Sequence, residues 1–540
     1  MPLSREFDYL PPRSGPAAVT GSRVLVPFGR RHQVGVVMGQ AAGSDYPAAK
    51  MRHCSETLDQ EALLSADDLW LIRFTSSYYH HPIGEVMAAA LPALLRQGKS
   101  LYPLQTFVAI SDAGATADAE TLAKRAPRQA ELLQLLADAG GNGIDEETLT
   151  EQMPTWRRAV KGLLEKGFAS LFEAVPAEPE WLAVGEVQAG PDLNADQLGT
   201  IEQIRATTGF AAWLLDGVTG SGKTEVYLRL IRDVLDAGQQ VLVLVPEIGL
   251  TPQLVRRLST RLGVAPAVMH SGLSDNARLA AWRSSRSGAA KLVIGTRSAV
   301  FTPLPDVGLI VVDEEHDHSF KQQEGLRYSA RDLAIARAKH RDIPVVLGSA
   351  TPTLEMLQHC RSGNFTRLVL PVRAGGARPP DFRLVDLTRA PADNGLSQPL
   401  LEAIRKHLAD NGQVLIFLNR RGFAPTLICA SCGHVAECRR CDSRMTVHAR
   451  EGSLRCHHCG ASRKLDEHCG ECGANVRPLG EGTQRLEDAL HGAFPEHRVK
   501  RIDSDSMQRR GAIGEALEAA LQGEADILVG TQMLSKGHHF

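Results

Sequence analysis

The chain has 540 residues, 43% of them hydrophobic, with 60 basic and 62 acidic side chains giving a formal net charge of −2. That length accommodates roughly three to five domains, and near-neutrality excludes a global field that recruits polyanions, so any nucleic-acid site has to be local. The N-terminus lacks the apolar core of a signal peptide. No run of ~18 uncharged apolar residues offers a membrane span, so a soluble, cytoplasmic chain with no membrane partner is expected.

In chain order, residues 1–105 mix strand-like runs with one helical stretch. Val24–Phe28 and Val34–Met38 flank the basic turn Gly29–Gln33 and predict a hairpin, while Leu69, Ile72, Phe74 and Tyr78 recur at helical spacing. Residues 111–120, rich in Ala, Gly and Asp, read as a linker. Residues 121–174 predict three helices, near Arg128–Asp138, Glu146–Gln152 and Trp156–Lys166, and then a strand, Gly167–Phe172. That order describes a winged helix whose third helix enters a DNA groove; a helical spacer or docking module has the same composition and stays open.

After a Pro/Glu/Gly-rich passage, residues 195–372 alternate apolar strands with helical patterns. Trp213–Leu215, Val241–Val245, Leu292–Ile294, Leu309–Val312 and Val345–Leu347 suit a doubly wound parallel sheet. Residues 373–381 form a hinge-like break. A second α/β series, assigned to residues 382–540, starts at Leu384 and includes Val414–Leu418 and Ile527–Val529.

The first chemical motif is Gly217-Val218-Thr219-Gly220-Ser221-Gly222-Lys223-Thr224, set between a strand and a helical pattern. That context makes it a P-loop: the glycines let backbone amides approach the phosphates of ATP, and the helix N-terminus adds positive partial charge. Lys223 is expected on the β and γ phosphates and the Thr224 hydroxyl on Mg²⁺. Further on, an apolar strand ends in Asp313-Glu314-Glu315-His316. Asp313 is expected to hold the metal through water and Glu314 to polarise the attacking water. His316 is expected to sense the γ-phosphate or couple to the next motif, with an ordinary surface histidine as the alternative.

Gly348–Thr353, with Ser349 and Thr351, resembles the Ser-Ala-Thr element that links hydrolysis to DNA contact in superfamily 2 motors. Val245–Thr251 and Ile294–Ser298, including Arg297, stand where such motors grip one DNA strand. Leu418–Gly422 and Gly530–Lys536 take the corresponding places in the second lobe.

Eight of the ten cysteines form four Cys-x-x-Cys pairs: Cys429/Cys432, Cys438/Cys441, Cys456/Cys459 and Cys469/Cys472. Each turn points two thiolates at one tetrahedral metal, so the four supply ligands for two Zn²⁺ ions within an insertion at 426–478. A disulfide cluster is the alternative, disfavoured for cytosolic thiols. Sequential pairing would join neighbouring turns. Nested pairing would join Cys429, Cys432, Cys469 and Cys472 around one ion and Cys438, Cys441, Cys456 and Cys459 around the other, tying the ends of the insertion together.

These motifs together resemble the primosomal protein N′ (PriA) family of bacterial replication-restart helicases, over essentially the whole chain. The resemblance is carried by Gly217–Thr224, Asp313–His316, Lys321–Asp332, Leu418–Pro425 and the cysteine spacing, with Phe7-Asp8-Tyr9 and Val26–Gly29 near the N-terminus. It implies an α/β multidomain fold: two RecA-like helicase lobes, a β-rich N-terminal DNA-binding domain, a winged helix and a zinc insertion. It also implies an ATP-dependent 3′→5′ DNA helicase that recognises stalled forks and promotes primosome assembly. The implied partners are branched and single-stranded DNA, primosome proteins and single-stranded-DNA-binding protein.

By the same resemblance, Phe7, Asp8 and Tyr9 shape a pocket for a nascent 3′ end, with Asp8 on the free 3′-hydroxyl; a turn or capping aspartate is the alternative. Phe320–Arg331 resembles the family's aromatic-rich loop, whose Phe320 and Tyr328 are expected to stack on bases, with simple packing as the alternative. Leu326 stands where another aromatic is frequent. The resemblance also favours nested zinc pairing. The chain stops at Phe540, within the fifth helicase motif, as a truncated product, a fragment or an incomplete record would. A motor-inactive scaffold for fork binding and docking is therefore the second reading.

Overall fold

The computed structural model describes residues 5–176, 187–246, 252–374, 380–418, 426–429, 431–441, 443–448, 452–456, 459–479, 483–502, 516, 519–520 and 522–530. The expected strand-gripping residues 247–251, most of Leu418–Gly422 and residues 531–536 lie outside these. Contacts divide the chain into two units, one reaching Ala374 and the other formed mainly by residues beyond it. Among the described residues, no helix is long and apolar enough to cross a membrane.

The first unit starts with a hairpin. Arg23–Phe28 pairs with Arg31–Val36 through a loop of two residues, shorter than the turn read from the sequence. Gly29, at φ +60°, takes the first loop position, where a type II′ turn needs positive φ. Arg23 is buried: its guanidinium meets the Asp59 carboxylate at 2.7 and 2.8 Å and the carbonyls of Leu95 and Lys99 at 2.7 and 2.8 Å. Every side of this cation is answered, the condition for burying one.

Helix Ala66–Tyr78 starts at a capping box between Ser65 and Asp68. Leu64, Leu69, Ile72, Val86 and Leu95 from this region share one hydrophobic cluster with Leu214, Leu244 and Ile310 of the motor sheet and Trp282 of helix Asp275–Ser287. The seam is also polar. Asp67 binds Arg341 and, at 2.9 Å, His340, whose ring stacks on Trp70 at 3.8 Å. The helical part of residues 1–105 is thus continuous with the motor's core.

The helical module of residues 121–174 differs from its sequence reading at the front. Strand Gln105–Ile110, which falls between the first domain and the linker read from the sequence, pairs over its whole length with Ala169–Ala174, and the supposed linker contains the helix Asp112–Ala115. Helices Pro127–Ala139, Glu146–Gln152 and Trp156–Glu165 surround a separate core that includes Val108, Leu132, Leu149, Trp156 and Leu163. Val108 lies on that strand, so the module cannot close without it.

The motor sheet has seven parallel strands in the order Thr366–Leu370, Ala212–Gly217, Val345–Ser349, Val307–Val312, Gln240–Leu244, Leu292–Gly295 and Ala267–Met269. Val307–Val312 is buried throughout, as strands covered on both faces are. Parallel alignment brings the ends of these strands to one edge, so residues far apart in sequence meet there.

In the second unit, Val414–Phe417, Ile527–Gly530 and Val499–Ile502 form a parallel sheet, with a core including Ile404 of helix Gln398–Ala409 and Leu486 and Leu490 of helix Thr483–Ala493. Beyond Ala374, the first helix or strand among the described residues is Gln398–Ala409, later than the predicted start at Leu384, which is exposed. Between Phe417 and Thr483 lies an antiparallel sheet of five strands. Its first strand, Thr426–Cys429, pairs with its last, Val476–Leu479.

Candidate nucleotide, DNA and metal sites

At the C-terminal edge of the motor sheet, Gly217 ends one strand and helix Lys223–Asp236 opens at Gly222. Gly220 and Gly222 sit at φ +81° and +84°, the left-handed conformation that turns successive amides inward. The Lys223 ammonium donates to Gly217 O at 3.0 Å, and the Ser221 hydroxyl is buried without a hydrogen-bond partner. A cation folded over the loop and an orphaned hydroxyl within it fit a phosphate-binding cradle.

Asp313 begins where strand Val307–Val312 ends. Its Oδ1 accepts from the Tyr227 hydroxyl at 3.1 Å. Burial raises this carboxyl to about 6, and the adjacent Glu314 adds to the rise while Lys223 opposes it. Glu314 holds φ +50°, an unusual backbone state for a residue with a side chain and one that concentrates at functional sites. His316 Nδ1 lies 2.8 Å from Ser349 Oγ, and the Thr351 amide donates to that hydroxyl at 3.0 Å. Thus His316, Ser349 and Thr351 form one hydrogen-bonded set linking the acidic and Ser-Ala-Thr motifs.

Two further residues, Glu315 and Gln197, have no role in the sequence reading. Glu315 is buried and accepts from the Thr353 amide at 2.8 Å, the Thr353 hydroxyl at 3.1 Å and Arg331 at 3.0 Å. It braces two motif loops against helix Ala330–His340. Gln197 donates to Ser221 O at 2.9 Å from a capping box with Asn194. The Asn194-x-x-Gln197 spacing was the available signal.

Phe320 and Tyr328 do not present stacking surfaces. Both are buried with Leu326 in the motor's hydrophobic cluster, and Tyr328 meets Phe301 edge-on at 5.1 Å. Packing, the alternative left open above, describes them. Arg297 donates to Ser319 O at 2.9 Å, holding the start of the same loop.

Near the N-terminus, Phe7, Asp8 and Tyr9 line a cavity of about 830 Å³ together with Val36, Ile83 and Met87. Asp8 is not a helix cap: it accepts from the Ser44 hydroxyl at 2.5 Å. Tyr9 donates to Pro27 O at 3.1 Å, and Phe7 meets Phe28 edge-on at 5.4 Å.

The cysteines gather in nested sets. Cys429, Cys432, Cys469 and Cys472 form one cluster and Cys438, Cys441, Cys456 and Cys459 the other, all sulfurs within each lying within 4.8 Å. Nearest separations run from 3.4 to 3.6 Å. Disulfides are far shorter, whereas a tetrahedron with ~2.3 Å metal–sulfur bonds has edges of ~3.7 Å. Gly433, Gly460 and Gly473 follow the second cysteine of three turns at φ +75°, +74° and +70°, closing each turn. Backbone amides pull Cys429 and Cys438 down to about 6, so thiolate is favoured at one sulfur of each cluster. The donor set fits zinc.

Comparison with known proteins follows this geometry. A 3′ DNA-binding domain model matches residues 1–92, a DEAD/DEAH box helicase model matches 194–359, and the PriA DNA helicase Cys-rich region model matches 438–464. Replication restart protein PriA of Haemophilus influenzae is 42% identical over 100% of this chain and 74% of its own length. The chain belongs to the PriA family. PriA of Bacillus subtilis is 35% identical, with 100% and 76% covered, and PriA of Chlamydia pneumoniae is 34% identical, with 100% and 73% covered. The PriA-type match at the N-terminus spans the cavity around Asp8, and the Cys-rich match spans the inner sulfur cluster.

Proposed function

We propose that this chain is an ATP-dependent DNA helicase that works 3′→5′ at stalled or collapsed replication forks and initiates restart through primosome assembly. The observation that carries this reading is the meeting of Lys223, Asp313, Glu314 and the His316–Ser349 pair at one sheet edge, in a chain similar to PriA over its full extent. Lys223 and the amides of Gly220–Thr224 would bind the triphosphate. Thr224 and Asp313 would hold Mg²⁺, which supplies charge neutralisation between the phosphates. Glu314 would orient water for attack on the γ-phosphorus, with ADP as leaving group. Ser349, bonded to His316, would pass the state of the phosphate to the Thr351 loop.

The cavity around Asp8 would take a DNA 3′ end, its carboxylate accepting from the 3′-hydroxyl. Each sulfur cluster would hold one structural Zn²⁺, with no position left for water. Primosome proteins and single-stranded-DNA-binding protein are the partners this reading implies, in the cytoplasm. ATPase stimulation and strand separation on a forked duplex test it: no ATP hydrolysis with or without fork DNA would refute the motor and return the docking scaffold.

A further inference from the structure

Tyr227 lies one turn beyond Thr224 on helix Lys223–Asp236, so both side chains leave the same side of the helix that opens at the P-loop. The ring is buried, and its hydroxyl is 3.1 Å from Asp313 Oδ1. The same hydroxyl fills the space above Gly348: a Cβ there would stand 1.4 Å from the Tyr227 oxygen and 3.4 Å from Asp313 Oδ1. One phenol therefore touches the helix of the first motif, the acid of the second and the glycine that opens the third. Among the described residues it is the one side chain that hydrogen-bonds the Asp313 carboxylate.

We propose that Tyr227 is a positioning residue for Mg²⁺–nucleotide binding. Its hydroxyl holds Asp313 Oδ1 and so leaves Oδ2 as the oxygen offered to the metal's water shell. A buried anion needs hydrogen-bond donors, and a carboxylate free to rotate would present its charge in no fixed direction. Tyr227 also ties that orientation to the Gly348 loop, because either group can move only if the other gives way. The inference rests on the reading of Gly217–Thr224 and Asp313–His316 as a nucleotide and Mg²⁺ site.

The test follows a fluorescent ADP analogue binding to the full chain, in EDTA and across a MgCl₂ titration. It compares the unaltered protein, Tyr227→Phe, Asp313→Asn and the double variant. Tyr227→Phe keeps the ring and removes only the donor. Its affinity in EDTA should stay unchanged, while the MgCl₂ needed for half the gain in affinity should rise about tenfold, the worth of a hydrogen bond to a charged group. Adding Tyr227→Phe to Asp313→Asn should change nothing further.

An unchanged MgCl₂ requirement, or an equal loss of affinity with and without MgCl₂, would overturn the proposal. A lowered melting temperature with an intact MgCl₂ response would leave Tyr227 a core filler and overturn it too. Absence of MgCl₂-dependent binding in the unaltered protein would defeat the reading of the site itself. That failure is distinguishable because it needs no variant.

Discussion

Phe320 shows how one side chain can decide between two accounts of a loop. Its burial beside Leu326 and Tyr328 makes it part of the motor core, so Phe320→Ala should cost about 3–5 kcal/mol of stability. Urea denaturation measures this; full stability combined with weakened single-strand binding would restore the stacking role. Arg23 is a different case, a buried cation whose partners are Asp59, Leu95 and Lys99, from two separate segments. Arg23→Ala leaves Asp59 an unpaired buried anion, and about 3–5 kcal/mol of stability should be lost. At the N-terminal cavity, Asp8→Ala should abolish preference for forks ending in 3′-hydroxyl over 3′-phosphate, measured by competition binding. A retained preference would remove Asp8 from the site.

Among elements, helix Ala66–Tyr78 and the cysteine sheet depend on non-local partners in contrasting ways. The helix is held to the motor partly through Asp67. Burial pushes that carboxyl up, but hydrogen bonds and charge from His340 and Arg341 outweigh it and bring it below its ordinary 3.8. A depressed folded value means that the stabilisation is complete above pH 3.8 and is lost as pH falls through the lowered value. Asp67→Asn should therefore lower the neutral-pH melting temperature and flatten the acid limb of the stability profile; parallel profiles would show that the pair contributes nothing. The cysteine sheet has a small core centred on Leu427, Met445, Val447 and Leu454, so in the proposed function its folding depends on metal at the sulfur clusters. Zinc removal by a chelator should unfold residues 426–479 while ADP binding persists, as limited proteolysis and nucleotide titration would report. Loss of both together would contradict a purely structural role for the metals.

For the molecule as a whole, the motor sheet and the N-terminal helices share one core, so the cavity around Asp8 and the glycine-rich loop Gly217–Thr224 are built into the same unit. In the proposed function, fork binding draws on surfaces other than the P-loop. Lys223→Ala should abolish ATP-driven unwinding while changing fork affinity less than about threefold, well within one 1.4 kcal/mol decade. A gel-shift assay showing equal loss of both would place Lys223 in the DNA site.

The sequence by itself determined the features whose chemistry is complete within a few residues. Gly220 and Gly222 set the backbone of the P-loop, the Cys-x-x-Cys turns, three of them with a following glycine, set the sulfur pairs, and unbroken apolar runs such as Val307–Val312 set buried parallel strands. Tertiary structure decided which distant groups met. It joined the four cysteine turns in nested sets, paired Gln105–Ile110 with Ala169–Ala174 and buried Phe320 and Tyr328. It also placed the Tyr227 hydroxyl against Asp313 and Arg331 against Glu315. The physical reason is that backbone conformation and local hydrogen bonding are fixed over a turn or two of chain. Whether an aromatic ring is covered, or a buried acid finds its donor, depends on segments tens to hundreds of residues away, and no local pattern records their arrival.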